Sequence, residues 1–242
     1  MSLQQRAQRA LTRQLAYQQR KADSIRGQER ATVLGMMHSS SRVRGILKSH
    51  QINSDARVLE VGSGAQGLIF FFGAEHGVGI DPLAHPYADL FPEWQRRVRT
   101  VAAFGESLPF AARAFDVVLC DNVVDHAESP KGILAEIARV LKPSGLLYFT
   151  VNTHHPIYAL ASRIHAAWND LGIRQEIGAF ADHTVHLTLR GAQALFHGLP
   201  FRVLQATNNI AESKLDAKQN GDLWKAIFYK NALYEVVAVR EN

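Results

Sequence analysis

Cysteine is nearly absent: Cys120 is the only one in 242 residues. That excludes an internal disulfide framework and any all-cysteine zinc cluster, and it fits a reducing compartment. Long apolar runs are missing too. No stretch reaches the roughly 18 residues of a transmembrane helix, so no membrane span is expected. Residues 1–20 are rich in Gln and Arg and lack the apolar core of a secretory signal, so a cytoplasmic chain is expected. With 17 Gly and 8 Pro the sequence is too poor in both for a low-complexity protein, and at 47% hydrophobic it is too apolar to be wholly disordered. What is left is an ordinary globular chain, between one and two domains at ~150 residues each.

The formal charge of +5 is unevenly spread. Residues 1–57 hold eleven Lys and Arg against Asp23, Glu29 and Asp55, a local charge of +8, while the rest of the chain comes to −3. Two readings are open for such an arm: a solvated helix face, or an attraction for phosphate, nucleic acid or an acidic partner.

Leu3, Ala7, Ala10, Leu11 and Leu15 recur every three or four residues, which predicts a helix over residues 2–21 with a narrow apolar stripe. A second helix is predicted from about Ser24 to His50, with Ile25, Val33, Leu34, Met37, Val43, Ile46 and Leu47 as its buried positions. Ser39, Ser40 and Ser41 are expected to interrupt it. From Ala56 the rhythm changes. Strands are expected at 57–61, 77–80, 97–103, 116–120, 146–152, 201–206 and 233–240, with helices at 67–75, 130–141 and 190–197 between them. Pro143-Ser144-Gly145 is expected to close the 130–141 helix, and the stretch after Ala206 to be irregular. Apolar strands alternating with helices indicate a mostly parallel sheet covered on both faces. Residues 154–182 form an excursion too long for a simple connection, which suits an inserted cap.

Gly62-x-Gly64-x-x-Gly67 follows the first strand, where glycines permit a tight turn and close approach of a ligand. Glu60 sits two residues ahead of Gly62. A carboxylate there repels a pyrophosphate and attracts a cation, which disfavours a nicotinamide or flavin dinucleotide. Asp81 closes the second strand, where an acid accepts hydrogen bonds from ribose hydroxyls. Together these residues suit a cationic amino acid joined to a nucleoside.

Val58–Gly67 (VLEVGSGAQG), Gly79-Ile80-Asp81, Glu106–Phe110 (ESLPF), Phe115–His126 (FDVVLCDNVVDH) and Ile133–Gly145 (ILAEIARVLKPSG) resemble, in order and spacing, the motifs of class I S-adenosylmethionine-dependent methyltransferases. The likeness is strongest to the small-molecule branch that includes ubiquinone and menaquinone biosynthesis, and it covers about residues 56–152. It implies a Rossmann-like α/β fold, a seven-stranded, mostly parallel sheet with the last strand antiparallel. The helical extension would be residues 1–55, and the methyltransferase domain residues 56–242 with the cap inserted. It implies S-adenosyl-L-methionine as cofactor, and roles by position. Glu60, Gly62, Ser63 and Gly64 would hold the methionine, and Asp81 with Pro82 the ribose. Phe104, Gly105 and Glu106 would hold the adenine, and Asp121 and Asn122 the edge facing the acceptor. One position departs from the pattern. Where the family commonly has an Asp for the adenine amino group this chain has Phe104, so either Phe104 stacks on the ring or Glu106 makes the polar contact.

Methyl transfer from a sulfonium needs mainly positioning and dryness, with a general base only where the acceptor is a hydroxyl. His126, His154 and His155 follow the fourth and fifth strands at the sheet edge where α/β folds bind ligands, and are the catalytic candidates. His183 and His186 stand near the end of the cap, and Trp168 within it. Asp121, Asp125, His126, His154 and His155 are the residues that a divalent ion would need. The family's metal-binding acid pair is absent, because Asn152 is followed by Thr153 and two histidines, so no metal is expected. Cys120 reads as a buried apolar side chain. The sequence therefore favours a small-molecule acceptor. The alternatives are a tRNA or other nucleic-acid substrate held by the basic arm, without an aromatic-interleaved basic motif to back it, and a cofactor-binding protein that does not transfer.

Overall fold

In the computed structural model, residues 3–50, 52, 55–160 and 185–242 are described. The expected cap, with Trp168 and His183, lies largely outside them. Two long helices come first, α1 (Leu3–Ile25) and α2 (Glu29–Lys48), separated at Gly27, whose φ of +80° turns the chain. Seven strands then build one sheet: β1 (Arg57–Val61), β2 (His76–Ile80), β3 (Arg99–Val101), β4 (Phe115–Asp121), β5 (Leu141–Thr153), β6 (Phe201–Asn208) and β7 (Ala232–Arg240). Their order is β3-β2-β1-β4-β5-β7-β6. β7 runs antiparallel to both β5 and β6, while β1 to β5 pair in parallel. This is the Rossmann-like α/β sheet with an antiparallel last strand that the resemblance implies.

Period-two alternation splits the strand side chains between two cores. Val118 and Cys120 of β4 join Leu59, Val61, Leu147 and Phe149 on one face, covered by α5 (Pro130–Val140). Ser129 caps α5 by accepting from the Gly132 amide, Pro130 takes the first helical position, and Ile133, Leu134, Ile137 and Val140 face the sheet. Val117 and Leu119 look the other way, towards Val58, Tyr148 and the Met36, Val43 and Leu47 face of α2. Cys120 is fully buried, with its thiol pKa pushed up by burial, as an apolar side chain should be.

Several local expectations are corrected. The Ser39-Ser40-Ser41 run does not interrupt α2: Ser40 is fully buried and its hydroxyl donates to Leu68 O at 2.7 Å, so it serves as a tie between helix and turn. The buried stripe of α2 runs through Met36, Ser40, Val43 and Leu47, leaving Leu34 and Met37 exposed. The helix expected at 67–75 shrinks to a single 3-10 turn, Leu68–Phe71, ahead of Gly73 at φ +76°. Pro143-Ser144-Gly145 lies inside β5 and not after a helix. Ser144 sits at φ +64°, beside a shift in the β4–β5 pairing. The stretch after Ala206 continues as strand to Asn208 and then forms helices Ile210–Gln219 and Leu223–Ile227. Helices α3 (Ala84–Leu90) and α4 (Pro92–Gln95) follow β2. No described helix is long and apolar enough to cross a membrane.

Candidate active site

The chain order fixes where a site can form. After β1 the chain winds outward to β2 and β3, then returns past β1 to β4 and β5. The crevice at such a reversal lies between the carboxyl ends of β1 and β4, where open α/β sheets take ligands. Gly62 to Gly67 leave β1 there, and Asp121 and Asn122 leave β4.

Glycine is required at this turn by contact as well as by conformation. A Cβ on Gly62, at φ +70°, would come within 2.5 Å of the Val123 side chain. One on Gly67 would come within 2.3 Å of Glu60 Oε2 and 2.4 Å of Ser63 O. The Glu60 carboxylate fills the hollow beneath the turn and accepts from the Leu68 and Ile69 amides, both at 2.9 Å. It is 1% exposed. Glu60 was expected to face a cation directly. Instead, its two oxygens hold the start of the 3-10 turn, two amides of the kind that helix starts leave unsatisfied. Burial pushes its pKa up to about 8, and the negative charges of Asp121 and Asp81 push in the same direction.

Asp81 is fixed in the same manner. Its Oδ2 accepts from the Gly64 amide at 3.1 Å and its Oδ1 from the Leu83 amide at 2.8 Å across Pro82. Burial raises its pKa as well. Ser63, fully buried, donates its amide to Ile80 O and so locks the turn to β2. From above, Trp94 Nε1 donates to Ala65 O at 2.6 Å, and Gln95 Nε2 donates to Gly64 O and Ala65 O. Sequence reading missed this pair, because nothing in a short Pro-Glu-Trp-Gln helix signals that it clamps a turn thirty residues away.

At the β4 edge the Thr150 hydroxyl donates to Asp121 Oδ1 at 2.5 Å and accepts from the Asn122 amide at 3.0 Å. Asn122 stands at φ +56°, a left-handed conformation that asparagine tolerates better than most residues, and its Oδ1 accepts from Asn152 Nδ2. Burial raises the Asp121 pKa, and the Arg42 charge opposes that rise. Between this edge, the Gly-rich turn and the two N-terminal helices is a cavity of about 360 Å³, lined by Lys21, Met36, Ser39, Gln66, Gly67 and Asp121 among others. Asp81, Phe104 and Glu106 are not on its wall.

Residues 59–149, which carry all of this geometry except the N-terminal wall and the Thr150–Asn152 edge, match the family of methyltransferase domains. Over that stretch the chain is similar to a methyltransferase domain. The domain is similar to the thiol S-methyltransferase of Rattus norvegicus, 41% identical over 59 residues covering 24% of each chain. It is also similar to the uncharacterised methyltransferase YcgJ of Bacillus subtilis, 29% identical over 106 residues, 41% of this chain and 42% of that one. The chain thus matches less than half the length of these relatives. The YcgJ crystal structure aligns with a TM-score of 0.60 over 85% of this chain and 99% of that one, at 18% identity. A geranyl diphosphate C-methyltransferase of Streptomyces coelicolor, solved with Mg2+, geranyl diphosphate and S-adenosyl-L-homocysteine, aligns at 0.58 over 84% and 78% of the two chains, at 15% identity.

The residues expected on the adenine side stand apart from the cavity. Phe104 is 51% exposed, and Gly105 packs so closely that a Cβ would meet Ile133 and Val61 at 3.0 Å. Glu106 Oε1 accepts from the Glu128 and Ser129 amides, at the approach to α5. The loop after it is tied to α5 by Arg139, which donates to Phe110 O and Leu108 O, and by Glu136, which accepts from the Leu108 amide.

The three histidines expected to be catalytic separate. His126 ends a 3-10 turn beyond β4 with its side chain 47% exposed and Nε2 3.9 Å from Asp125 Oδ1. His155 packs edge-on against Phe228 and Tyr229 and is half-buried. His154 is fully buried, stacked on Tyr158 and against His186, and its Nδ1 accepts from the Asn231 amide at 3.4 Å. That environment is a packed wall beyond the paired ends of β5 and β7, so His154, expected near the substrate pocket, is placed in packing. Among the described residues no group of three His, Cys, Asp or Glu is placed to hold a metal ion, so the set Asp121, Asp125, His126, His154 and His155 is not gathered.

Proposed function

We propose that the chain transfers the methyl group of S-adenosyl-L-methionine to a small-molecule acceptor. One observation carries this reading: three carboxylates, Glu60, Asp81 and Asp121, surround one Gly-rich turn, and burial raises the pKa of each. The repulsion that Asp121 and Asp81 exert on Glu60 is relieved by a cation and aggravated by a pyrophosphate, so a sulfonium amino acid suits the crevice and a dinucleotide does not. The glycines, where an added Cβ would collide, leave the backbone open to close approach.

In this reading the cofactor supplies a methyl already activated on a sulfonium, and the chain binds, orients and dries the pair. Gly62, Ser63, Gly64 and the end of β4 at Asp121 and Asn122 would hold the methionine, with Glu60 acting beneath them as the residue that shapes the turn. Asp81 would exchange its Gly64 and Leu83 amides for ribose hydroxyls, with Pro82 shaping the bend. Phe104, exposed and facing no core, would stack on the adenine, since Glu106 is occupied at the start of α5. His126 and His155 would accept a proton from a hydroxyl acceptor, each being at a strand's carboxyl end with part of its surface outside the core. A small acceptor is favoured over nucleic acid because relatives are named for small acceptors, a thiol in one case, and because Lys21 of the basic arm turns inward. Residues 56–242 would be the catalytic unit, and the single, buried Cys120 suits a cytoplasmic setting.

Calorimetric titration with S-adenosylmethionine and with NAD tests the reading; preference for NAD would overturn it. Radiolabelled methyl transfer to a panel of thiols, hydroxyls and amines then separates an enzyme from a protein that binds without transfer. Asp81→Ala is expected to weaken S-adenosylmethionine about ten-fold, from loss of ~1–3 kcal/mol in hydrogen bonds to a charged group. Unchanged affinity in that variant would remove the ribose assignment.

A further inference from the structure

Lys21 leaves the solvent face of the basic α1 helix and reaches the Gly-rich turn, where its Nζ donates to Gln66 Oε1 at 2.6 Å, across 45 residues of sequence. Gln66 is one of the two residues between Gly64 and Gly67, so this contact closes α1 over the turn. Lys21 also lines the 360 Å³ cavity, and so does Asp121. Among the described residues these two are its charged wall residues, and they have opposite sign; the remainder is small, hydroxyl-bearing, amide or apolar. Burial lowers the Lys21 pKa, and the ammonium is matched here by a neutral amide oxygen. An anion would satisfy it better, because charge-assisted hydrogen bonds are roughly twice as strong as neutral ones.

A cavity whose described walls carry one cation and one anion and are otherwise uncharged is complementary to a zwitterion. We infer that Lys21 is the residue that recognises the α-carboxylate of the bound methionine group, giving up Gln66 Oε1 for it, while Asp121 meets the α-ammonium. The inference rests on the reading of the crevice as an S-adenosylmethionine site and adds to it a residue from outside the 56–242 catalytic unit. Lys21 is thereby a binding residue, and α1 becomes a wall that the donor latches shut. Nucleic acid has no part in that use of the arm.

The test is calorimetric titration of the full chain with S-adenosylmethionine and with decarboxylated S-adenosylmethionine, which keeps the sulfonium and the ammonium but lacks the carboxylate. The wild type should bind the carboxylated ligand about ten-fold more tightly, a span set by loss of one charge-assisted pair. Lys21→Met should bring the two affinities to within two-fold of each other, chiefly by weakening the carboxylated one, and Lys21→Arg should restore most of the difference. Equal weakening of both ligands by Lys21→Met, or no weakening of either, would overturn the latch. A wild type that binds both ligands equally overturns it as well and leaves the S-adenosylmethionine reading standing. A wild type that binds neither brings down that reading and the latch with it. The wild-type comparison needs no variant, so the inference can fail even if Lys21→Met does not fold.

Discussion

Gly67→Ala is expected to cost the protein at least ~3 kcal/mol of stability and to abolish cofactor binding. The added methyl would stand 2.3 Å from Glu60 Oε2 and 2.4 Å from Ser63 O, and neither neighbour can retreat. Ser63 O belongs to the backbone of the turn, and the Ser63 amide is pinned to Ile80 O at 2.8 Å. The Glu60 carboxylate is held by two amides and surrounded by core, so moving it breaks both bonds and leaves two buried donors unsatisfied, at ~1–3 kcal/mol each. Overpacking a tight core adds ~1–3 kcal/mol more. Gly64→Ala is the control. Its Cβ would have nothing nearer than 3.9 Å, so only its φ of +51° matters, at ~1–2 kcal/mol. Thermal denaturation of the two variants side by side checks the contrast. A Gly67→Ala protein that melts within a degree or two of Gly64→Ala would show that Glu60 does not sit under the turn.

That contrast marks how far the sequence could be read. The succession of strands along the chain and the three glycines were legible because both come from local rules. Apolar runs such as VLEV and VVLC make buried strands, and glycines after a strand make a turn that a ligand can approach. The particular reason for Gly67 was not legible, since it depends on where the Glu60 side chain goes once β1 is paired. The same limit explains the serine run in α2. By propensity it breaks a helix, yet Leu68 O, 28 residues away, supplies a partner for Ser40 that no local rule foresees. It explains Trp94, Gln95 and Thr150 as well, whose parts in the site are bonds to distant backbone and to Asp121. The burial of His154 was hidden for a related reason. Chain position placed it at the ligand edge, whereas packing of Tyr158 and His186 around it took it into a wall. Lys21 was visible only as one charge among eleven, because charge counting carries no direction.

Affinity for S-adenosylmethionine is expected to rise with pH between about 6 and 8, by as much as ~100-fold, and Glu60→Gln is expected to flatten that rise. Glu60 has its pKa raised to about 8, first by burial and then by its acidic neighbours, while two backbone amides pull the other way. Below pH 8 the ligand-free protein therefore carries a proton there. A sulfonium and an ammonium arriving beside the carboxylate cluster favour the ionised form, so binding expels that proton, and each pH unit in the window adds up to ten-fold. Stability has the opposite sign. A carboxyl group whose folded pKa lies above its unfolded value of 4.5 holds more protons when folded, so its contribution is complete below about pH 4.5 and is lost as pH rises towards 8. Glu60→Gln removes the titration and leaves one of the Leu68 and Ile69 amides facing an NH2 group, so its melting temperature should fall by an amount matching ~1–3 kcal/mol. Calorimetry in two buffers of different ionisation enthalpy counts the protons released at pH 7. Near one for the wild type and near zero for the variant is the expected result, and equal counts would mean that Glu60 does not respond to charge in the crevice.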